Sequence, residues 1–600
     1  MLTVIKPEPG EFGRGYNLLR EPKRRTTLAL AILLLLSLGL SLALPACQSD
    51  PQEALILDIF DLIDRYYIAK VDRRELTGSA LKKLVDYLQA EVRMEAQTEE
   101  MKKFLKAREN GEELSPTPLE EVSPTPIPTP YDEVKIDVTP TSVAITANGQ
   151  TFARELPFDK KKLAAVMLDG VRFYQQTLGL KRPLDELLQL ALDGMVQALD
   201  PHSGFLNLSD YNNLKQDTEG SFGGVGIEIG IRDGFLTVIS PMAGTPAERA
   251  GLQAMDRIVG IDGVDTTGQS LNWAVLRLRG KIGTPVTMSI KRPGKEDHFD
   301  VTIVRDKIEA VATKHEMWPG NVGYVRLIQF NARTSADLDL ALAEFSDAPG
   351  GLRALVIDLR NNPGGLLEQT VDVADKFLPG GLIVNTIGRG YLQDRERFAT
   401  GRGRYVDLPL IVLVNSGSAS ASEIVAGALK DHNRALVMGF QTFGKGSVQS
   451  IFELRNETGL RLTTAMYYTP SGASIQAFGI TPHVRFNLPA DQEEMFSYSE
   501  SKLEGHLENN HQAKAPTPDF EIDAESVYKY FIDQGWIKED RANYSDANDF
   551  LLVLTKRLLQ SDDLSVPGMI DRAKKQLVDV PILPPPEKPV EETATAETPQ

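Results

Sequence analysis

Apolar residues recur at helical spacing from Leu55 to Leu88, through Leu55, Ile59, Leu62, Ile63 and Tyr66 and then Leu81, Leu84, Val85 and Leu88. That spacing predicts two amphipathic helices. Lys162 to Leu199 repeats the pattern, with Leu187, Leu188, Leu192, Met195, Val196 and Leu199 along one face. Between the two lies an insertion. Its centre, Ser115 to Pro130, is rich in Pro and Thr and reads as a semi-rigid polyproline spacer of up to about 50 Å. Lys135 to Phe158 then alternates apolar and polar positions around Asn148-Gly149, a hairpin signal. From Gly220 to about Asp306 short Val/Ile/Thr-rich segments punctuated by glycine predict a small β-rich module. Beyond Asn321 the pattern alternates between strand and helix. The runs Ala354 to Leu359, Leu410 to Val414 and Ala435 to Met438 are short, β-branched and almost uninterrupted, as parallel strands buried on both faces are. Helical stretches Leu366 to Phe377 and Ala421 to Leu429 lie between them, which predicts right-handed βαβ units. Ser526 to Ile537 and Asp546 to Gln560 read as helices, and Pro581 to Gln600 as a disordered tail.

Six hundred residues exceed a single hydrophobic core, and 42% hydrophobic residues suffice for several. A net charge of −18 and the lack of a compact basic patch argue against a nucleic-acid partner. The single cysteine, Cys47, rules out an intramolecular disulfide and a thiolate metal cage. Its setting is informative. Lys23, Arg24 and Arg25 precede an uncharged stretch from Thr26 to Leu44, and Leu44-Pro45-Ala46-Cys47 closes it. This resembles a bacterial lipoprotein signal in which Cys47 is lipidated after cleavage, although Pro45 departs from the usual pattern. An uncleaved anchor is the rival, because these nineteen residues span roughly 28 Å as a helix; a plainly cleaved secretory signal is the third reading. All three place the remainder outside the cytoplasm, and the first two tether it to the outer face of the cell membrane.

Reactive groups in open α/β sheets gather where strands end and helices begin. Two such turns stand out, Asp358-Leu359-Arg360-Asn361-Asn362-Pro363-Gly364-Gly365 and Asn415-Ser416-Gly417-Ser418-Ala419-Ser420-Ala421-Ser422-Glu423. A serine in the second could serve only as a helix cap. A third segment, Thr442-Phe443-Gly444-Lys445-Gly446-Ser447-Val448-Gln449, offers a base. A lysine at its ordinary pKa of about 10.4 is neutral only about once in a thousand at pH 7, and lowering that pKa by about 3 costs roughly 4 kcal/mol, which a desolvated pocket without a carboxylate partner can impose.

Together with Thr469-Pro470-Ser471-Gly472 and Gly479-Ile480-Thr481-Pro482, these segments resemble the carboxyl-terminal processing peptidases, or tail-specific proteases, over roughly Leu163 to Val484. The resemblance implies a serine endopeptidase with Ser420 as nucleophile, Lys445 as general base and Gln449 orienting the lysine. It further implies an oxyanion hole built from the N–H of Ala421 and one from Gly364 or Gly365. Ala473 and His483 depart from the family's pattern at the edge of the core.

Gly220-Ser221-Phe222-Gly223-Gly224-Val225-Gly226-Ile227, with Gly244-Thr245-Pro246-Ala247-Glu248-Arg249-Ala250-Gly251-Leu252 and Asp256-Arg257-Ile258, resembles a PDZ domain; Met255 replaces the usual glycine before Asp256. That likeness implies capture of a peptide's terminal carboxylate by Phe222, Gly223, Gly224 and Val225, and substrates with free C-termini. His202 in Asp200-Pro201-His202-Ser203 lacks a nucleophile elbow around it and reads as structural. No metal and no cofactor are implied, and an adaptor or a homo-oligomer stays open. The resulting expectation is a multidomain α/β protein: anchor 1–47, helical segment 48–114, linker and insertion 115–160, helical region 161–215, PDZ domain 216–306, mixed βαβ protease core 307–490, helical extension 491–580 and tail 581–600. A non-catalytic peptide-binding scaffold at the cell envelope is the alternative.

Overall fold

The computed structural model describes residues 2–5, 50–109, 129–232, 234–295, 297–389, 394–488, 499–509, 516–538, 549–578 and 580. The basic cluster Lys23 to Arg25, the apolar run to Leu44, Cys47, nearly all of the Pro/Thr-rich spacer and the tail after Val580 lie outside them. Among the described residues no helix is long and apolar enough to cross a membrane.

The largest sheet has seven strands in the order Thr313–Trp318, Val322–Leu327, Ala354–Asp358, Leu410–Val414, Leu436–Gly439, Val484–Asn487 and Phe520–Asp523. Only the first pair is antiparallel. The uninterrupted apolar runs have a direct cause. In Leu410–Val414 the alternate residues Leu410, Val412 and Val414 enter one core, with Val425 and Leu429 of the helix Ala421–Asp431, while Ile411 and Leu413 enter another. That second core is closed by the helices Ala524–Asp533, Phe550–Leu558 and Val566–Leu577 through Val527, Phe531, Leu552, Leu558 and Met569. The C-terminal extension is therefore the second covering layer of the sheet, which is why neither face of the strands carries polar residues. Its last helix lies in the expected helical extension 491–580, beyond the two helices that the sequence pattern marked.

A second sheet holds Ser447–Glu453, Gly459–Tyr468, Leu382–Gly388 and Arg395–Phe398, with Gly204–Leu206 on the second of these strands and Leu2–Ile5 parallel to the first. The sequence pattern did not separate it from the βαβ core. Its inner residues Val448, Ala465 and Tyr467 pack into the first core. Its outer residues Phe452, Leu460 and Leu462 join the N-terminal helices Pro51–Tyr66, Arg73–Glu109, Lys160–Thr177 and Leu184–Gln197.

Asn148 and Gly149, at φ 48° and 75°, turn a tight hairpin between Ser142–Ala147 and Gln150–Glu155. A third strand, Lys135–Thr139, completes that small sheet. Val143, Ile145 and Phe152 pack into the same core as the N-terminal helices, so this part of the insertion belongs to the helical unit.

The β-rich module orders its strands Phe299–Val304, Pro285–Lys291, Arg257–Ile261, Phe235–Pro241 and Ile227–Arg232, leaving the last at an edge beside the helix Leu271–Leu278. Asp256 is buried in a bidentate pair with Arg292, both bonds 2.7 Å. The turn that delivers it passes through Met255 at φ 71°, a left-handed conformation that costs a side-chain-bearing residue about 1–2 kcal/mol. Met255 is 46% exposed, so little packing is lost with it. Met255→Gly is expected to stabilise the module by roughly 0.5–1 kcal/mol once the greater unfolded-state freedom of glycine is deducted, measured as slower hydrogen exchange of the strand amides in the full chain. Unchanged or faster exchange would contradict this account.

Candidate active site

The strands Ala354–Asp358, Leu410–Val414 and Leu436–Gly439 each end in one of the three turns singled out by sequence, and parallel pairing brings those ends together. The turns are then laced by hydrogen bonds. Asn361 N donates to Asn415 Oδ1 and Asn415 Nδ2 to Asn361 Oδ1, both at 2.9 Å. Ala419 N and Ser422 Oγ donate to the carbonyl of Asn362, and Ser418 Oγ to that of Leu359. Ser418 and Ser422, on either side of Ser420, thus hold the first turn against the second.

Ser420 differs from both. It occupies the cap position of the helix Ala421–Asp431 at φ 57° and ψ −110°, a strained backbone for a residue with a Cβ. Such strain persists only where the surroundings over-determine it, and it concentrates at functional sites. Gly364 lies directly against it: a Cβ there would sit 2.9 Å from Ser420 Cβ and 3.0 Å from Ala421 N. The first turn is itself anchored by Asp358, buried and bonded to Tyr324 Oη and the Arg360 guanidinium, which reaches Asp549 of the C-terminal extension.

Lys445 and Gln449 come from the turn after the next strand and from Ser447–Glu453. Burial brings the lysine down to about 8, with Arg461 acting in the same sense and Glu500, Asp200 and Glu423 opposing. The pocket is thus not free of carboxylates, as its sequence neighbours suggested, yet among the described residues none makes a salt bridge with Lys445. Gln449 is buried and its amide donates to Ser447 Oγ at 2.9 Å and Thr463 Oγ1 at 3.4 Å; Thr463 Oγ1 in turn donates to Asp200 at 2.9 Å.

Three groups escaped the sequence reading because their partners are distant in the chain. Glu423 is wholly buried and receives four hydrogen bonds, from Ser420 N and Lys445 N on one oxygen and from Thr442 Oγ1 and Gly444 N on the other. Tyr467, equally buried, directs its hydroxyl to the carbonyls of Ser420 and Lys445. Glu500 is buried against His202 at 2.7 Å and Gln476 at 2.9 Å, while Gln476 receives the N–H of Gly446. His202 therefore pairs with Glu500.

The four residues expected to receive a peptide carboxylate occupy two settings. Phe222, Gly223 and Gly224 form a strand paired with Asp306–Glu309, and the Gly223 carbonyl receives the Gly280 N–H. A Cβ on Gly223 would meet Gly280 O at 2.1 Å, so this glycine serves a backbone crossing in the ribbon. Val225 is buried in the module's core; Gly226, at φ 79°, leads into the edge strand Ile227–Arg232. Among the described residues no group of three His, Cys, Asp or Glu side chains is placed to hold a metal.

The family profiles of peptidase family S41 and of the PDZ domain match residues 321–486 and 214–291. A carboxy-terminal-processing protease of Bartonella bacilliformis is 46% identical over 334 residues, which are 55% of this chain and 76% of the relative. The chain belongs to peptidase family S41. The carboxyl-terminal-processing protease of a Synechocystis species is 42% identical over 50% of the chain and 72% of its own length. Among solved structures, the photosystem II D1 C-terminal processing protease shares 34% identity, over 51% of this chain and 84% of its own, with a TM-score of 0.32. A peptide-bound PDZ domain of a Vibrio cholerae carboxy-terminal protease shares 34% identity over 15% of this chain and 98% of its own, with a TM-score of 0.15. As an S41 member the chain is a serine protease of the carboxyl-terminal-processing type with a PDZ domain.

Gly364→Ala tests the contact around Ser420. With φ at 102° and Ser420 Cβ 2.9 Å away, the added methyl must displace the nucleophile turn. Peptide hydrolysis is expected to fall by roughly 10²-fold, while the strain costs only about 1–3 kcal/mol of stability. An unimpaired kcat/KM in the folded variant would show that the contact is irrelevant to activity.

Proposed function

We propose that this protease hydrolyses peptide bonds with a Ser420/Lys445 dyad after its PDZ domain has engaged the C-terminal tail of an extracytoplasmic protein. The observation that carries the reading is the joint backbone clamp on Ser420 and Lys445 around a lysine whose pKa burial has lowered to about 8. Neutral Lys445 takes the Ser420 hydroxyl proton as the oxygen attacks the peptide carbonyl; the lysine then returns a proton to the leaving amine, and water repeats the cycle on the acyl-enzyme. Gln449, an amide, orients the lysine without recharging it.

Ala421 opens a helix, so its N–H has no intrahelical partner and is available to the developing oxyanion. Gly365 rather than Gly364 supplies the second donor. The Gly364 N–H is already bonded to Asn362 Oδ1 at 2.9 Å, whereas the bonds to Phe330 use the Gly364 carbonyl and the Leu366 N–H. In the PDZ module the tail adds as a strand to the edge Ile227–Arg232, with its carboxylate at Val225 and Gly226.

The basic cluster and apolar run before Cys47 hold the protein at the outer face of the membrane, by lipidation of Cys47 or by an uncleaved helix. Either course separates Leu2–Ile5 from the strand Ser447–Glu453, because those residues stay inside or are removed.

Ser420→Ala is expected to abolish hydrolysis with the fold unchanged, and Lys445→Ala to lower it by at least about 10³-fold. Because the neutral amine is the reactive form, kcat/KM rises tenfold per pH unit up to about 8 and levels off above it. A disordered polypeptide with a free C-terminus is cut faster than its amidated counterpart. Wild-type rates in Lys445→Ala, or equal cleavage of both substrates, would overturn the dyad or the tail-recognition reading respectively.

A further inference from the structure

Glu423 stands three residues after Ser420, where sequence alone makes it an ordinary first-turn carboxylate of a helix. Its surroundings are not those of a surface residue. It is wholly buried, makes no salt bridge among the described residues, and its four hydrogen bonds come from two segments that share no strand or helix. Ser420 N lies at 2.7 Å on Oε2 beside Lys445 N at 3.0 Å; Thr442 Oγ1 at 2.6 Å and Gly444 N at 2.7 Å share Oε1. Thr442 Oγ1 is held ready to donate because it accepts the Ile480 N–H at 2.6 Å. From the other side the Tyr467 hydroxyl faces the carbonyls of Ser420 and Lys445. Two buried side chains therefore tie both the N–H and the C=O of each residue of the dyad.

We propose that Glu423, seconded by Tyr467, is a positioning residue that sets the register of the nucleophile turn against the base turn. The inference rests on the Ser420/Lys445 reading. An ionised carboxylate is an acceptor only, and four donors saturate it. Glutamine would turn an NH2 group toward two of those donors, and aspartate would fall a methylene short of reaching both turns. Burial pushes the Glu423 carboxyl up to about 7 while the four donors pull it down. In its ionised form it also raises the proton affinity of Lys445, in concert with Glu500 and Asp200 and against Arg461.

The test uses the full chain and compares Glu423→Gln, Glu423→Asp and Tyr467→Phe with Ser420→Ala and Lys445→Ala. Glu423→Gln is expected to lose on the order of 10²-fold in kcat with KM within about threefold of wild type, since the PDZ groove is untouched. Removing the charge lowers the proton affinity of Lys445, so the rising limb of the pH profile moves to lower pH. Glu423→Asp, which keeps the charge but shortens the reach, is expected to lose kcat with the limb in place. Wild-type kcat in Glu423→Gln, or a loss of activity in which the limb stays put, overturns the proposal. Should Glu423→Gln fail to fold, Tyr467→Phe decides: a lower kcat at unchanged KM supports the clamp, and wild-type kcat refutes it. Wild-type hydrolysis in Lys445→Ala would instead remove the dyad on which the inference stands, an outcome distinct from either.

Discussion

A carboxylate taken out of water must be met by donors, and this requirement shapes the active site around Glu423. Leaving a buried anion without partners costs several kcal/mol, more than most single contacts return. Its four donors lie on two turns that follow different strands, so the charge is satisfied only when the Ser420 turn and the Lys445 turn are brought together. A demand for solvation thus becomes a demand for geometry. The same clamp helps hold the positive φ at Ser420, a conformation the isolated segment would not keep.

The electrostatics of Lys445 follow from the balance within that enclosure. Desolvation favours the neutral amine and the half-buried Arg461 adds to it; Glu500, Asp200 and Glu423 resist. The outcome near 8 leaves an appreciable neutral fraction at physiological pH while keeping the amine basic enough to take a hydroxyl proton. A pocket stripped of carboxylates would make a lysine that is neutral more often but a weaker base. Negative charge at a distance tunes the residue without forming the salt bridge that would hold its proton.

Around the site, each layer has a positional task. The parallel sheet aligns three strand ends, the N-terminal helices back the second sheet that carries Gln449, and the C-terminal extension seals the sheet's far face and reaches the first turn through Asp549 and Arg360. The short segment around Glu500 returns to the base turn through Phe443, His202 and Gln476. The dyad is therefore held by chain drawn from almost the whole described length of the protein.

The sequence by itself determined the parts whose cause is local. Uninterrupted β-branched runs marked Ala354–Asp358 and Leu410–Val414 because both their faces are buried; Asn148-Gly149 marked a hairpin because those residues tolerate positive φ; and glycine and serine at strand ends marked the reactive turns. Tertiary structure decided what depends on residues far apart in the chain. Glu423 looks like any first-turn acid until Gly444 and Lys445 arrive, and Tyr467 like any core aromatic until its hydroxyl meets two carbonyls. Phe222 to Gly224 read locally as a glycine-rich loop, and it is Asp306–Glu309, more than eighty residues away, that pairs them as a strand. Pattern reports how a residue meets its own helix or strand, whereas hydrogen bonds across distant segments depend on where the whole chain carries them.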